Sequence, residues 1–306
     1  MNHLLFITVA VLITAVEGFS SFQLPIKLPW EASSSVQPKS PITANDKVVI
    51  FGGTGGVGQL VTKKLLLKDK YQVCVVARDG EKAKELLLPE DGNDSKFSVA
   101  QLNLVGDASA SDEELQAVLQ DATAIVISVG TTAFPTQRWK NGNNPKAIDC
   151  DAVSRIANLA TASSGTLRRI VLLTSVGVER TDEMPFKILN LFGVLDAKRT
   201  GEDAVKKACR QANVSYSIIR PGRLVGGPYT NLDLAKLFQI EGGAENGVTV
   251  EFGDSLLGDC KRDACAEACI QALENEKCVD LEFSMISNEE KALTSAQWGD
   301  AFAGMK

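Results

Sequence analysis

A glycine-rich turn between an apolar run and a helical pattern constrains this chain most. The apolar run is Lys47–Phe51, and the turn that follows reads Gly52-Gly53-Thr54-Gly55-Gly56-Val57-Gly58. Leucine and valine spacing over residues 60–66 then predicts a helix. A strand, a glycine turn and a helix in this order bring bare backbone and helix N-terminal amides to a dinucleotide pyrophosphate. The spacing G-x-x-G-x-x-G is weak evidence alone, and a turn without a ligand is the alternative.

From residue 46 onward, apolar strands alternate with helical patterns, which predicts an α/β fold with a doubly wound parallel sheet of the Rossmann type. The expected strands are 47–51, 71–77, 97–102, 124–128, 169–174 and 215–219, and the expected helices are 81–88, 112–119, 148–162 and 196–211. After residue 220 we expect a helix at 232–238, a strand at 248–252, a helix at 262–274, a strand at 280–285 and a helix at 295–302. One domain over residues 46–306, with a small C-terminal substrate lobe, fits this order.

The charge balance limits the kinds of partner. The formal net charge is −6 and no cluster of lysine or arginine stands out, which argues against a nucleic acid as the main partner. The only histidine, His3, lies in a leader-like segment. We therefore expect a mature protein without a histidine for general base catalysis and without a metal site.

Four of the seven cysteines, Cys260, Cys265, Cys269 and Cys278, lie close together near the C-terminus. They include no Cys-x-x-Cys pair, and Cys265 and Cys269 are one helical turn apart. We expect buried small apolar residues on a helix, with a redox or metal role as the alternative. The odd cysteine count in a chain of this size argues against a disulfide-stapled scaffold.

The N-terminus has the composition of a targeting segment. Residues 4–16 are apolar but too short to span a membrane comfortably, and residues 1–18 are expected to be a signal peptide, although no Lys or Arg precedes the run. Phe19 then opens a Ser/Pro-rich, transit-like tract that extends to about residue 45. This order resembles the bipartite plastid-targeting presequence of algae with secondary plastids. It implies the plastid stroma and a mature protein without a stable membrane span; a secreted or N-terminally anchored protein is the alternative.

The residue after the second expected strand favours one cofactor over another. Sites selective for NAD place an acidic residue about 20 positions beyond the glycine turn, where it binds the ribose hydroxyls. Arg78 occupies that place, and a guanidinium would instead pair with a 2′-phosphate. This favours NADP over NAD. Asp79 keeps NAD open, and a solvated charge at a strand end is the alternative without a ligand.

Small and polar residues end the third and fourth expected strands. In a doubly wound sheet, ligands bind beyond the carboxyl ends of the strands. We therefore expect these residues to line the adenine and ribose groove, although any strand exit favours small residues. They are Asn103, Leu104, Ser128, Val129 and Gly130.

Three later stretches carry a family resemblance. At Leu173-Thr174-Ser175, at Gly193-Val194-Leu195-Asp196-Ala197-Lys198 and at Arg220-Pro221-Gly222, the chain resembles the short-chain dehydrogenase/reductases, in particular their atypical, NmrA-like NAD(P)-binding branch. Met184-Pro185-Phe186, Gly227-Pro228-Tyr229 and residues 266–273 are similar to a plastid subgroup of plants and algae. The resemblance covers nearly everything from residue 47 to residue 302. It implies an NAD(P) site in a family that includes oxidoreductases and cofactor-binding proteins with little turnover.

The same resemblance implies roles for individual residues. The family's catalytic set is a serine, a tyrosine that donates a proton, and a lysine that also holds the nicotinamide ribose. Ser175 matches the serine and Lys198 the lysine, but Val194 stands at the tyrosine position. A valine cannot donate a proton, so ordinary carbonyl reduction is not expected. Pro221 and Gly222 match the family's turn against the nicotinamide.

Two functions remain open at this point. The first is hydride transfer from NADP to a flavin, a quinone or an extended tetrapyrrole, with Tyr229 as an alternative proton donor. The second is a non-catalytic redox sensor or assembly scaffold. Loops at 134–139 and 185–192 are expected to form a substrate pocket with a lid, a surface for a protein partner, or ordinary packing. The partner is therefore a small-molecule acceptor or a protein on these loops.

Overall fold

The computed structural model describes residues 39–88, 95–227 and 246–305. Eight strands form one sheet: β1 Lys47–Phe51, β2 Gln72–Ala77, β3 Phe97–Gln101, β4 Ala124–Ile127, β5 Arg169–Leu173, β6 Ser215–Pro221, β8 Asn246–Phe252 and β10 Leu281–Lys291. Two short strands, β7 Arg223–Val225 and β9 Asp259–Lys261, pair with each other in a second sheet. The helices are α1 Gly56–Leu67, α2 Gly80–Leu87, α3 Asp112–Leu119, α4 Val153–Ser163, α5 Phe186–Leu189, α6 Val194–Ala212, α7 Arg262–Glu274 and α8 Ser295–Gly304.

The strand order is β3-β2-β1-β4-β5-β6-β10-β8. All neighbouring strands in this sheet run parallel except β8, which runs antiparallel to β10. The order reverses between β1 and β4, and such a switch point opens a crevice at the carboxyl ends of the strands. The expected doubly wound α/β fold is confirmed, and its C-terminal strands extend the same sheet.

Apolar side chains cover both faces of the sheet. Successive residues of β1 alternate between two core clusters: Val48 and Ile50 pack with α1 and α7, whereas Val49 and Phe51 pack with α3, α4 and α6. Side chains of a strand point alternately to opposite faces, so a strand covered on both sides is apolar throughout. This explains why the strands of the sequence are continuous apolar runs.

The six expected strands from 47 to 219 are confirmed, with ends that shift by at most two residues. The helix expected at 148–162 begins with a π-helical segment, Lys146–Ala152, before α4. Strands β7 and β9 and helix α5 were not expected, because three or four residues are too few to show a period. The helix expected at 232–238, and Tyr229, lie outside the described residues.

Residues 39–45, expected in the presequence, make contacts with the domain. The Ile42 side chain is buried and its amide donates to the Leu273 carbonyl at 3.1 Å. In the part of the chain that the structure describes, no helix is long and apolar enough to cross a membrane.

The cysteines are free thiols, and six of the seven are buried while Cys150 is half-buried. Cys265 and Cys269 lie in α7, as expected for small apolar residues on a buried helix. Across residues 39–88, 95–227 and 246–305, no three His, Cys, Asp or Glu side chains are placed to hold a metal ion.

Candidate cofactor site

The glycine turn is packed so closely that side chains are excluded. Gly52 has a φ of +84°, and a Cβ built on it would lie 2.8 Å from the Ser128 carbonyl carbon. A Cβ on Gly58 would lie 2.1 Å from the Gly52 oxygen. The Gly55 amide closes the turn by donating to that oxygen at 2.9 Å. The first turn of α1 therefore lies directly against the end of β1 and beside β4.

The N-terminus of α1 has no side-chain cap within the described part of the chain. Its N-cap residue, Gly55, has no side chain to offer, and the first turn contains no acidic residue. The Gln59 side chain donates to the Thr54 carbonyl at 3.0 Å and steadies the turn instead. Uncapped helix amides together with the positive end of the helix dipole form an anion site, and a pyrophosphate fits it. Of the other residues predicted for this site, Gly53 lies in the turn and Gly56 and Val57 are the first two residues of α1.

The end of the crevice where adenosine is expected to bind is lined by polar residues. Arg78 is exposed and forms no ion pair with the residues that the structure describes. With Asn103 it lines a pocket of about 140 Å³ beyond β2 and β3. Asp79 instead caps α2, accepting the Lys82 amide at 3.0 Å. Leu104 is half-buried against the core.

Ser128, Val129 and Gly130 leave β4 at the switch point. The Ser128 amide and hydroxyl both donate to the Phe51 carbonyl, at 2.9 and 3.1 Å, so this residue joins the ends of β4 and β1. Val129 packs against the core, and Gly130 is exposed. The structure thus brings the predicted residues of β1 and β4 together at one edge of the sheet.

Lys198 forms a buried ion pair that the sequence did not reveal. Its Nζ lies 2.6 Å from Asp149 Oδ1, and the side chains of Lys198 and Asp149 are 12% and 1% exposed. Asp149 also accepts the Thr131 amide at 3.1 Å and the Thr131 hydroxyl. A Cβ on Gly130 would lie 3.1 Å from Lys198 Nζ, so the ammonium group lies directly under the exposed glycine. The available signal was an acidic residue on the buried face of an otherwise apolar helical pattern.

Asp149 owes its place to the π-helical segment before α4. Such segments are rare, and they often occur at functional sites because they redirect a side chain. A Cβ on Gly201 would lie 2.3 Å from the Asp149 carbonyl oxygen, so α6 approaches this segment backbone to backbone. The close approach allows Lys198, on the same helix, to reach the Asp149 carboxylate.

Ser175 follows β5 and is half-buried. Its hydroxyl donates to the Val176 carbonyl at 3.1 Å, and the Val176 amide donates to the Pro221 carbonyl at 3.0 Å. The serine loop and the predicted nicotinamide turn therefore lie side by side. Within the described part of the chain, no hydrogen bond joins Ser175 to Lys198.

Val194 is sealed inside an apolar cluster. It is 3% exposed, and it packs in a cluster with Val176, Val178, Phe186 and Leu195. The position that matches the family's tyrosine is thus filled by an apolar side chain in core packing.

Packing within the chain explains why position 222 is a glycine. A Cβ on it would lie 2.2 Å from the Gly258 carbonyl oxygen, and its amide donates to the Met285 carbonyl at 2.9 Å. The position that a side chain of residue 222 would occupy is taken by the chain's own backbone. The glycine is required by packing whether or not a cofactor binds.

The two expected loops, 134–139 and 185–192, contact each other through aromatic side chains. Phe134 and Phe192 are 42% and 50% exposed, and their rings contact edge to face with centroids 6.0 Å apart. Trp139 contacts Phe192 in the same way at 6.2 Å. The loop after β5 is held from below, because the buried Asp254 carboxylate accepts the Gly177 amide at 2.7 Å.

Comparison with known proteins agrees with this geometry. A family model described as NAD(P)H-binding matches residues 52–276, which begin at the glycine turn. The chain belongs to this family. The expected resemblance to NAD(P)-binding Rossmann-fold proteins is thereby confirmed.

Two curated relatives come from plants. A chloroplastic protein of Oryza sativa named TIC 62 is 30% identical over 205 residues, which cover 62% of this chain and 38% of the relative. This chain therefore matches less than half the length of that protein. An uncharacterized chloroplastic protein of Arabidopsis thaliana is 25% identical over 300 residues, covering 96% of this chain and 92% of the relative.

Solved structures share the fold. A putative NAD-dependent epimerase/dehydratase of Bacillus halodurans superposes with a TM-score of 0.60 at 20% identity, covering 84% of this chain and 100% of that one. An oxidoreductase of Lactococcus lactis gives 0.58 at 19% identity, over 80% and 92% of the two chains. A short-chain dehydrogenase/reductase of Veillonella parvula, solved with NADP, gives 0.54 at 12% identity, over 80% and 95%.

Proposed function

We propose that this protein is an NADP-dependent oxidoreductase whose acceptor needs no proton donor from the protein. The observation that carries the proposal is Val194, buried at the family's tyrosine position beside an otherwise intact set of Ser175 and Lys198. The acceptor class that fits is a flavin, a quinone or another flat conjugated system, because such rings take up hydride and obtain protons from solvent.

Lys198 is a poor substitute for the missing tyrosine. Transfer of its proton would leave the Asp149 carboxylate, which is 1% exposed, without its counter-charge. An unpaired buried charge is costly, so the ion pair opposes such a transfer. The remaining N–H groups of Lys198 lie under Gly130, where they suit the hydroxyls of a nicotinamide ribose.

NADP is proposed over NAD from the two charges after β2. Asp79, the residue that would favour NAD, is the N-cap of α2, and its carboxylate accepts the Lys82 amide. Arg78 is exposed at the pocket beyond β2 and β3, where a guanidinium pairs with a 2′-phosphate. The uncapped start of α1 would hold the pyrophosphate, Ser128 and Gly130 would line the ribose, and the bound cofactor would supply the hydride.

The acceptor is proposed to lie against the aromatic loops. Phe134, Trp139 and Phe192 present ring edges and faces beyond β4 and α5, near the carboxyl ends where nicotinamide would lie. Aromatic edges and faces bind planar rings favourably. The same exposed surface suits a protein partner if the acceptor is a prosthetic group of another protein.

A second candidate is a non-catalytic NADP-binding sensor or assembly factor. The buried Val194 supports it, because cofactor binding through Lys198 and the glycine turn does not require a proton donor. Both candidates predict cofactor binding, and only turnover separates them.

We infer a plastid location from the N-terminal sequence and the chloroplastic relatives. Residues 1–18 would act as a signal peptide and residues 19–45 as a transit-like segment that leads to the stroma, with secretion as the alternative. A fluorescent protein fused after residue 45 is expected in plastids of an alga with secondary plastids. Fluorescence in the secretory route or the medium would contradict the plastid assignment.

The deciding experiment measures NADPH oxidation with a panel of acceptors. Protein beginning at residue 39, the first described residue, keeps the contacts of Ile42. Turnover with flavins or quinones, and none with simple aldehydes or ketones, is the expected result. Tight NADPH binding without turnover on any acceptor would support the sensor instead, and carbonyl reduction would show that another group donates the proton.

A further inference from the structure

A second buried ion pair lies beside the cofactor site without belonging to it. Arg220 donates through Nε and Nη2 to the two carboxylate oxygens of Glu202, at 3.1 and 2.7 Å. Both side chains are 0% exposed. A bidentate guanidinium–carboxylate pair fixes direction as well as distance.

Glu202 connects the three elements that carry the predicted nicotinamide residues. It lies on α6 one turn after Lys198, and its Oε1 accepts the Thr174 hydroxyl at 2.6 Å. Thr174 directly precedes Ser175, and Arg220 directly precedes Pro221. One carboxylate therefore ties together the lysine helix, the serine loop and the turn after β6.

The pair is poorly suited to stabilising the fold alone. Removing two charges from water is expensive, and well-packed apolar residues often replace a buried pair without loss of stability. Arg220 Nη1 is buried and has no hydrogen-bond partner among the residues that the structure describes. Two more carboxylates, Glu282 and Glu179, lie 2.7 and 3.1 Å from Nη2. Burial alone would lower the pKa of Arg220, but the hydrogen bond and charge of Glu202 raise it, so the charge stays.

We propose that Glu202 and Arg220 are positioning residues that hold Lys198, Ser175 and Pro221 in register for the nicotinamide half of the cofactor. The proposal rests on the proposed function, because it requires NADPH in this crevice. Neither residue touches the adenosine half: Arg78 and Asn103 lie beyond β2 and β3, on the other side of β1. The pair should therefore affect one half of the dinucleotide and spare the other.

Two ligands separate the halves in the full-length protein. NADPH engages both, whereas adenosine 2′,5′-bisphosphate engages only the adenosine half. In the double variant Glu202→Met/Arg220→Met, which removes both charges together, NADPH affinity is expected to fall about tenfold, equivalent to about 1.4 kcal/mol. The affinity for adenosine 2′,5′-bisphosphate is expected to stay within about twofold, by the same conversion.

Thr174→Val is the milder variant, because it removes one hydrogen bond and keeps the ion pair. We expect NADPH to bind about threefold more weakly and the bisphosphate to be unaffected. This variant decides the matter if the double variant does not fold. Arg168→Met is the matched control. Arg168 pairs with Asp46 at the amino ends of the strands, away from the site, and the two side chains are 13% and 18% exposed. This control should change neither affinity.

The outcomes are distinct. A folded double variant, or a Thr174→Val protein, with unchanged NADPH affinity would show that the pair is only structural and would overturn the proposal. An equal loss for both ligands would point to a general distortion and would overturn it too. If the unmodified protein binds neither ligand, the proposed function fails first.

Discussion

Arg169 and Arg220 are two buried arginines on neighbouring parallel strands. Arg169 lies at the amino end of its strand, and Arg220 lies near the carboxyl end of its own. Arg169 begins β5, is 1% exposed and donates to the backbone carbonyls of Lys39, Ser40, Ala272, Asn275 and Cys278. Arg220 lies near the end of β6 and binds carboxylates. Carbonyl dipoles satisfy the donors of Arg169 without neutralising its charge, and burial lowers its pKa to about 10.

From this difference we infer that the amino ends and the carboxyl ends of the strands, here called the amino edge and the carboxyl edge of the sheet, serve different purposes. At the amino edge, Arg169 closes the C-terminal end of α7 and holds the segment before β1, which is a contribution to stability. At the carboxyl edge, Lys198 and Arg220 form buried pairs with carboxylates, and we propose that these pairs orient the loops there. Changes at the first edge should therefore affect folding, and changes at the second should affect the ligand.

The largest effect is expected from Arg169→Met. The substitution leaves several buried carbonyls without donors, at a cost of about 1–3 kcal/mol each, and the free energy of unfolding should fall by about 3 kcal/mol or more. Urea unfolding measures the loss, and Arg168→Met, on the adjacent partly buried residue, should cost much less. If the folded Arg169→Met protein binds NADPH more weakly, the separation of the two edges is wrong.

Lys198→Ala comes next. It removes the donor under Gly130, and NADPH and NADH should both bind about tenfold more weakly, a change of about 1.4 kcal/mol. It also leaves Asp149 buried without a counter-charge, which destabilises the fold. Titration of nicotinamide fluorescence measures the affinity.

The control for Lys198 removes both partners. Lys198→Met/Asp149→Asn restores charge balance, so stability should recover while NADPH affinity stays low. Recovery of affinity in this double variant would mean that Lys198 acts through stability and does not contact the cofactor.

Arg78→Ala should have a smaller and more selective effect. Arg78 is exposed, so its attraction to a 2′-phosphate is screened, and NADPH affinity should fall by about fivefold, or about 1 kcal/mol. NADH affinity should be unchanged, so the preference disappears. Equal affinities for NADPH and NADH in the unmodified protein would rule out this role for Arg78.

The smallest expected effect is on the labelling of the cysteine thiols in the native protein. Burial raises the pKa of Cys209 to about 12, and burial raises that of the half-buried Cys150. Thiols held protonated react slowly. At neutral pH a thiol reagent should label the native protein slowly and at Cys150 alone, whereas all seven cysteines react after unfolding. Rapid labelling of several cysteines in the native protein would revive a redox role.

The parts of the fold that follow from local chemistry were predictable from the sequence. The strand, glycine turn and helix at 47–67 follow from apolar spacing and from the tolerance of Gly52 for a positive φ. Helix α3 spans 112–119 as expected, because a Ser111–Glu114 capping box marks its start. Patterns within about 20 residues carry this information.

The site was predictable only in part, because the residues that sequence reasoning did not find depend on partners far away in the sequence. Asp149 pairs with a lysine 49 positions later, and its orientation arises from a π-helical segment that leaves no sequence signal. Glu202 and Arg220 are 18 positions apart on different elements. The family resemblance predicts a cofactor role for Gly222, and the approach of Gly258, in a loop far along the chain, gives a second reason for the glycine that the sequence did not indicate.

Hydrogen–deuterium exchange with and without NADPH tests the division between the two edges most directly. When NADPH binds, we expect slower amide exchange at 52–58, 128–131 and 174–180, which follow β1, β4 and β5 at the carboxyl edge. The exchange rate is expected to stay unchanged at 39–46 and 166–169, around Arg169 and the backbone carbonyls that it binds. Protection at the amino edge, or no protection at the carboxyl edge under saturating NADPH, would contradict this division.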